Sequence, residues 1–188
     1  MLVVGLGNPG AEFAHTRHNV GAEAVASLAA RVGVTLRAER GTAARVAVTE
    51  RTGALVALAI PETFMNDSGL AVAQLCRRHS LTELSRLVVV HDELDLDPGV
   101  VRVKLGGGTA GHNGLRSIDA HLHSLDFARV RIGIGKPPGR MPGADYVLRR
   151  PSGADAEVLA LGVSLAADAL ELVITEGLER AMNVVNVR

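Results

Sequence analysis

Short apolar runs recur along the chain and predict the strands of a sheet. Leu2–Gly5 and Leu87–His91 are continuous runs, typical of strands buried on both faces. Ala43–Val48 and Leu55–Ile60 are rich in β-forming residues, and a Gly-containing turn separates them. These four runs are the expected strands of the first half of the chain.

Longer stretches with apolar residues at three- and four-residue spacing predict helices. One covers Val20–Val32 and stops at Gly33. Three more are expected: one capped by Asp67 or Ser68 and ending near His79, one opened by a capping box at Ser152–Asp155 and ending near Thr175, and a short one after Gly177. Helices alternate with strands almost throughout, so we predict an α/β fold over residues 1–188: a single domain with a mixed, twisted central sheet flanked by helices.

Two further runs alternate strictly between apolar and cationic residues. Arg102 and Lys104 alternate with the apolar residues of Val101–Leu105, and Arg129 and Arg131 with those of Ala128–Ile134. Period two predicts strands with one face towards the core and the other towards solvent. If the two strands are neighbours, the four cations form a stripe, although solubilising charges on a sheet face explain the pattern equally well.

Composition limits the class of protein. Of the 188 residues, 47% are apolar, which excludes a disordered chain. Cys76 is the single cysteine, so no internal disulfide can form, and a reducing cytoplasm is expected. The start of the chain lacks a basic segment, so no secretory signal is expected. The longest apolar run, Val158–Ala167, is too short to cross a bilayer, and we expect no membrane partner.

The charge is distributed unevenly. The net charge is +0, which argues against a general nucleic-acid binder. Residues 102–150 nevertheless carry nine Lys and Arg against three acids, a net +6, whereas residues 151–188 carry two against six, a net −4. Any contact with a polyanion would therefore depend on a local basic surface.

The segment Lys104–Gly114 holds five glycines in eleven residues. Each glycine costs backbone entropy and adds no side chain to a core, so such a run is expected where the backbone approaches a ligand closely or adopts a positive φ. His112 and Asn113 lie among these glycines and can bind a polar substrate. A flexible surface loop is the alternative.

The segment Gly5–Gly10 matches the glycine pattern of dinucleotide-binding proteins directly after a predicted strand. That motif opens a helix at once and has an acid at the end of the second strand. Here Pro9 delays the helix, and Glu23 falls inside it. A nicotinamide oxidoreductase is thus a weak alternative, and a turn that directs Asn8 into a cleft is favoured.

His18, at the start of the first helix, is the candidate base. An imidazole needs a carboxylate to fix its tautomer and support its charged form, and Asp92 follows a predicted central strand. The acidic run after His91 also suggests a metal site. Calcium loops require glycine where Pro98 stands, however, and zinc requires more His or Cys, so no metal is predicted.

Three asparagines follow predicted strands and are expected at one edge of the sheet: Asn8, Asn66 and Asn113. Carboxamides both donate and accept hydrogen bonds, so they can hold amide groups and ester oxygens without adding charge. Phe13 and Phe64 are two of only three phenylalanines and lie in the same motif-like stretches. Lys104 and Arg131 are the candidates for phosphate contact, which predicts salt-sensitive binding.

Five ordered motifs together resemble the bacterial-type peptidyl-tRNA hydrolases: GLGNPGAEFAHTRHNVG, TFMNDSG, HDELDLDPG, KLGGGTAGHNGLRS and RVRIGIGKPPGR. The resemblance runs from residue 3 to about residue 150 and extends weakly beyond it. It implies hydrolysis of the ester between the peptide and the 3′ ribose of tRNA, by a monomer without metal or cofactor. The acidic C-terminal segment fits the family least closely.

The resemblance also implies roles for individual residues. His18 would be the general base that activates water, Asp92 would orient it, and Asn8 would help to distinguish peptidyl from aminoacyl substrates. The remaining positions would contact the substrate or line the cleft: Phe13, Phe64, Met65, Asn66, His112 and Asn113. Two positions depart from the family pattern, because Phe13 replaces the common Tyr and Ala110 replaces a common Gly.

The main alternative is a non-catalytic RNA-binding relative with the same fold. Such a protein has no need of a base and carboxylate pair, so the presence of His18 and Asp92 together with the three asparagines argues against it. A purely structural or interaction protein would leave the clustered asparagines unexplained.

Overall fold

A computed structural model describes residues 1–187, which form one mixed sheet with helices on both faces. The strands are β1 (Leu2–Gly5), β2 (Arg37–Ala38), β3 (Ala44–Arg51), β4 (Ala54–Pro61), β5 (Leu87–Glu93), β6 (Val101–Leu105) and β7 (Ala128–Gly133). The helices are α1 (Val20–Arg31), α2 (Ser68–Arg78), α3 (Asn113–Leu122), α4 (Gly143–Val147), α5 (Ala154–Glu176) and α6 (Leu178–Val185). Short 3₁₀ turns occur at Arg17–Asn19, Met65–Asp67 and Leu84–Arg86.

The sheet order is β2-β3-β4-β1-β5-β7-β6. The central strands β4, β1, β5 and β7 are parallel to their neighbours in this series, whereas β2, β3 and β6 pair antiparallel. The predicted α/β class with a mixed central sheet is therefore confirmed. No bounds were predicted for helix α3, and the short strand β2 and helix α4 were not predicted at all, since neither has enough residues to show a period.

Alternation along the central strands divides the interior into two cores. Val3, Val88 and Val90 face one side, where they pack with residues of α1, α5 and α6. Leu2 and Val89 face the other side, where they pack with residues of α2 and α3. Every residue of β5 is buried, which explains why its sequence is a continuous apolar run.

Helix α1 approaches the centre of the sheet unusually closely. A Cβ at Gly21 would overlap the carbonyl oxygen of Val90, and one at Gly5 would overlap the carbonyl oxygen of Gly21. These two glycines let the first turn of α1 lie directly against β1 and β5. The preceding 3₁₀ turn, which carries His18, is thereby brought to the C-terminal end of β5.

The side-chain hydrogen bonds predicted to cap two of the helices are not formed. Helix α2 begins at Ser68 as expected, but Asp67 makes no capping hydrogen bond. Helix α5 follows Gly153, without a side-chain cap. The Asp155 carboxylate instead accepts a hydrogen bond from Arg17, at 3.3 Å, because the tertiary fold brings this arginine to the start of α5.

Helix α5 ends within one residue of the predicted Thr175, because Asp168 interrupts the apolar run Val158–Ala167 without ending the helix. Among residues 1–187 it is the one helix long and apolar enough to cross a membrane, with a mean hydropathy of 1.9 in its most apolar window. Core helices of soluble proteins meet the same criterion. This helix packs on α1, β6 and β7, and Asp168 pairs with Arg31 of α1.

Candidate active site

The C-terminal ends of the parallel strands carry most of the candidate residues. Asn8 follows β1, Asn66 follows β4, and Asp92 lies near the end of β5. Parallel strands end at the same edge of a sheet, which is where ligands bind in open α/β folds. The glycine-rich loop after β6 leads to α3 and brings His112 and Asn113 to the same region.

Asp92 is the centre of a buried group of two histidines and one carboxylate. Its Oδ1 lies 2.8 Å from Nδ1 of His18 and 3.0 Å from Nε2 of His112. Asp92 is 3% exposed and His18 is 7% exposed. The structure thus brings His18 and Asp92 together as the sequence predicted, and it adds His112 as a second partner of the same oxygen.

The hydrogen bonds define the protonation of both imidazoles. Nδ1 of His112 accepts from the backbone N–H groups of Gly114 and Leu115, at 3.1 and 3.3 Å, so the proton is on Nε2 and is donated to Asp92. His18 donates its Nδ1 proton to the same carboxylate. In the neutral form of the His18 ring, Nε2 is then the nitrogen that carries the lone pair.

Electrostatics keep Asp92 ionised. Burial disfavours its charged form, but the adjacent His112 and His18 outweigh that effect and hold its pKa well below the usual value. The neighbouring His91 behaves oppositely, because burial and then the nearby His112 lower its pKa to about 3. His91 is accordingly neutral, and its Nδ1 contacts the backbone carbonyl of Asp92 at 2.7 Å.

Asn8 is held rigidly by three hydrogen bonds. Its backbone N–H donates to Oδ1 of Asn19 at 2.9 Å, and its carbonyl accepts from Nδ2 of Asn19 at 2.9 Å. Its side-chain oxygen accepts from the backbone N–H of Met65 at 2.8 Å. Within residues 1–187 its side-chain NH₂ group has no protein partner, so it is free to donate to a ligand.

The other predicted contact residues differ in exposure. Asn66 and Asn113 are exposed, and Phe64 is 54% exposed. The rings of Phe13 and Phe64 pack edge to face, with centroids 6.1 Å apart. Met65 is 4% exposed, and a Cβ at Gly114 would touch its sulfur, so Met65 packs beneath the site and contributes its backbone N–H.

Two cavities flank the His18 turn. One, of about 320 Å³, is lined by His18, Asp92, His112, Asn113, Ala144 and Val147. The other, of about 530 Å³, is lined by Asn8 and Asn19 together with Glu23, Arg45 and Glu62. Asn113 therefore shares a cavity with the candidate base, whereas Asn8 faces the neighbouring one.

The four cations of β6 and β7 do form one stripe. The strands are antiparallel neighbours, with Arg102 opposite Arg131 and Lys104 opposite Arg129. The expectation that all four face solvent is wrong for Arg129, which is 1% exposed. Its guanidinium group donates to the carbonyls of Gly107, Gly108 and Leu125, so it supports the glycine-rich loop from below.

Lys104 and Arg131 remain accessible beside this loop. Arg131 lies 3.7 Å from the Glu93 carboxylate. Partial burial, followed by the charges of Arg131 and Arg129, lowers the pKa of Lys104. Because cations crowd this surface, an anion bound there would relieve their mutual repulsion.

Ligand-type atoms of His18, Asp92 and His112 lie within 4.8 Å of one another and could hold a metal ion. A metal would have to displace the protons that His18 and His112 donate to Asp92. Each of these groups already has a complementary hydrogen-bond partner. Hydrogen bonds among these three side chains thus account for their arrangement without a metal ion.

Sequence reasoning missed three residues that shape the site. Asn19 precedes α1 and resembles a helix cap, yet its side chain binds Asn8 instead. Arg129 alternates with apolar residues along its strand, as a surface cation would. Arg17 belongs to no such sequence pattern, although it is 8% exposed and its side chain contacts Arg149 and Asp155. The local signal is ambiguous in each case, because the partners lie outside the helix, strand or turn that holds the residue.

Comparison with known proteins identifies the family. The profile of the peptidyl-tRNA hydrolases matches residues 2–188. This chain belongs to the peptidyl-tRNA hydrolase family. A peptidyl-tRNA hydrolase from Mycobacterium sp. (strain KMS) is 47% identical over 186 residues, covering 99% of this chain and 96% of the relative. One from Rhodococcus erythropolis is 48% identical over 182 residues, covering 97% and 95%.

Solved structures agree with this assignment. The crystal structure of peptidyl-tRNA hydrolase from Acinetobacter baumannii superposes with a TM-score of 0.91 at 37% identity, covering 98% of this chain and 93% of that one. The resemblance noted from the five motifs is thereby confirmed, and it extends beyond residue 150 to nearly the whole chain. The protein is accordingly an ester hydrolase with peptidyl-tRNA hydrolase activity.

Proposed function

We propose that His18 is the general base of peptidyl-tRNA hydrolysis and that Asp92 orients and stabilises it. The supporting observation is the 2.8 Å contact between Nδ1 of His18 and Oδ1 of Asp92, which leaves Nε2 of His18 as the only basic nitrogen of that ring. A base placed in this way contributes about 10²–10⁴-fold to a hydrolytic rate.

The reaction then proceeds in two steps. Nε2 of His18 removes a proton from water as the water oxygen attacks the ester carbonyl carbon, and the resulting imidazolium remains paired with the Asp92 carboxylate. The tetrahedral intermediate collapses with cleavage of the bond between the carbonyl carbon and the ribose O3′, which takes the proton from His18. The products are a free peptide acid and a tRNA with its 3′-hydroxyl restored.

The amide groups of the three asparagines are suited to hold the substrate. We assign the NH₂ group of Asn8 to a peptide carbonyl, because its oxygen is already fixed on Met65 and only the donor is available. A free aminoacyl-tRNA lacks a peptide carbonyl at that position, so this contact favours N-blocked substrates. Asn66 and Asn113 are assigned to the ester and ribose, and one amide donor to an oxyanion is worth about 10²–10³-fold.

The outer parts of the substrate have chemically matching surfaces. The edge-to-face pair of half-buried Phe13 and exposed Phe64 offers a stacking platform, worth about 1–3 kcal/mol for a stacked base. Lys104 and Arg131 are assigned to a phosphate of the tRNA acceptor end. Phe13 provides ring contact without the hydroxyl of the Tyr that is common in the family.

Substitution of His18 tests the central assignment. His18→Ala should abolish release of the amino acid from N-blocked aminoacyl-tRNA while tRNA binding is largely retained, because the contacts to phosphate and bases are elsewhere. Turnover by single-turnover assay and binding by filter retention give the two readouts. Free aminoacyl-tRNA is the control substrate, and turnover near the wild-type rate in His18→Ala would show that another group is the base.

A further inference from the structure

One wall of the His18 cavity is a segment with little support from the sheet. Helix α4 has only five residues, and Val147 is its single buried residue. Gly143, Ala144 and Val147 of this helix line the cavity. Its main packing partner is the 3₁₀ turn that carries His18. Contacts with that turn are therefore among those that set the position of this wall.

Arg17, the residue before His18, supplies those contacts. Its guanidinium group lies over the ring of Tyr146, 4.4 Å from the centroid, and Nη1 donates to the carbonyl of Arg149 at 3.2 Å. Nη2 donates to Asp155 at 3.3 Å, and the backbone N–H of Arg17 also donates to the Arg149 carbonyl. The side chain of Arg17 is 9% exposed, whereas that of Asp155 is 68% exposed, so the ion pair between them stays open to solvent and salt although the arginine itself is buried.

A second arginine fastens the end of the same segment. Arg150 donates through Nε to the carbonyl of Ala14 and through Nη2 to the carbonyl of Ala11, both at 2.8 Å. This loop carries Phe13. The Tyr146 hydroxyl also donates to the carbonyl of Ile134, at 2.8 Å. Side chains thus connect residues 143–150 to three places: the turn that carries His18, the loop that carries Phe13, and the end of β7.

We propose that Arg17 is a positioning residue that fixes residues 143–150 as the wall of the catalytic cavity, in register with His18. A planar guanidinium can stack on a ring and donate two hydrogen bonds in fixed directions at once, which a lysine cannot. Because the wall carries no group that changes charge in the reaction, it contacts the substrate equally in the ground and transition states. Its displacement should weaken binding without changing the ionisation of His18.

Arg17→Met tests this role, because methionine keeps much of the apolar stem and removes every hydrogen bond of the guanidinium. We expect kcat/KM to fall by roughly 10- to 100-fold, mainly through KM, since misplacement by about 1 Å has effects of this size. The acid limb of the pH–rate profile should stay in place. Arg17→Lys should recover only part of the loss.

Arg31→Met is the matched control. Arg31 also ties its helix to α5, through Asp168 and Ser164, but it does not contact residues 143–150. Hydrogen exchange of peptides covering 143–150 should accelerate in Arg17→Met and not in Arg31→Met. If both variants raise KM equally, or if Arg17→Met leaves KM and exchange unchanged, the proposal is wrong. A shifted acid limb with unchanged KM would also overturn it.

Tyr146 tests the same contact from the other side, should Arg17→Met fail to fold. Tyr146→Leu should reproduce the rise in KM and the faster exchange, whereas Tyr146→Phe keeps the ring beneath Arg17 and should have a smaller effect. Unchanged KM and exchange in Tyr146→Leu would contradict the proposal. The effect on activity rests on His18 as base, but the exchange result does not, so the two assignments can fail separately.

Discussion

Asp92→Asn separates the charge of this side chain from its shape. In the wild type, Oδ1 accepts hydrogen bonds from both His18 and His112. His112 must donate through Nε2, because its Nδ1 is occupied by two backbone N–H groups. The carboxamide that this substitution introduces should therefore turn its oxygen towards His112, and hence towards His18. The correct tautomer of His18 is preserved, and only the negative charge is lost.

The size of the effect follows from the geometry. An imidazolium on His18 and a carboxylate on Asp92 have charge centres about 4 Å apart, which is worth about 4 kcal/mol at an effective dielectric constant of about 20. At about 1.36 kcal/mol per decade of rate, this is an upper limit near 10³-fold, so we expect kcat/KM to fall by about 10²–10³-fold. The acid limb of the profile should move to lower pH, because the imidazolium loses its counter-charge.

A double variant checks the role of His112 as the anchor. In Asp92→Asn with His112→Ala the carboxamide can flip and donate its NH₂ to His18, which favours the wrong tautomer. The loss should then approach about 10⁴-fold, the effect of the equivalent change in a Ser-His-Asp triad. His112→Ala alone retains the charged carboxylate and should cost much less. Peptide release is measured over a pH series; additive losses, or an acid limb that does not move in Asp92→Asn, would refute this reasoning.

Two further predictions concern salt and pH. Lys104→Gln and Arg131→Gln should each reduce the slope of the logarithm of the tRNA association constant against the logarithm of the salt concentration by about 0.7–0.9, as expected for one lost phosphate contact. The control Arg37→Gln, on the far edge strand β2, should leave the slope unchanged. Equal slopes in all three variants would exclude Lys104 and Arg131 as phosphate contacts. His91 should make the fold acid-sensitive: its pKa falls to about 3 in the folded state, so the unfolded chain binds more protons below about pH 6.5. The free energy of unfolding should therefore decrease as the pH is lowered through that window, by up to about 1.4 kcal/mol per unit, and urea titrations of His91→Gln should show a shallower decline.

Burial patterns made the fold largely predictable. The spacing of apolar residues along a strand or helix shows which of its faces is buried, and this spacing can be read from neighbouring residues alone. Three predicted elements therefore lie within one residue of their observed bounds: Leu2–Gly5, Val20–Val32 and Val101–Leu105. Elements too short to show a period, such as β2 and α4, were missed for the same reason. The caps at Asp67 and at Ser152–Asp155 were wrong because a cap depends on where a side chain points.

The candidate site was predictable only in part. The positions of His18 at a helix start and of Asp92 at a strand end suggested the two as a pair, and the ordered motifs indicated the family, since each of these is a local property of the sequence. The sequence could not show that one oxygen of Asp92 serves two histidines, or that Asn19 holds Asn8 instead of capping α1.

The sequence by itself determined the class of fold, the resemblance to the family and the set of candidate side chains. The tertiary structure alone decided which polar groups satisfy one another. Arg129 is a buried support and not a surface cation, and Arg17 reaches a segment more than a hundred residues away. The physical reason is that a polar side chain must find a partner once it is buried, and packing of distant segments decides which partner is within reach.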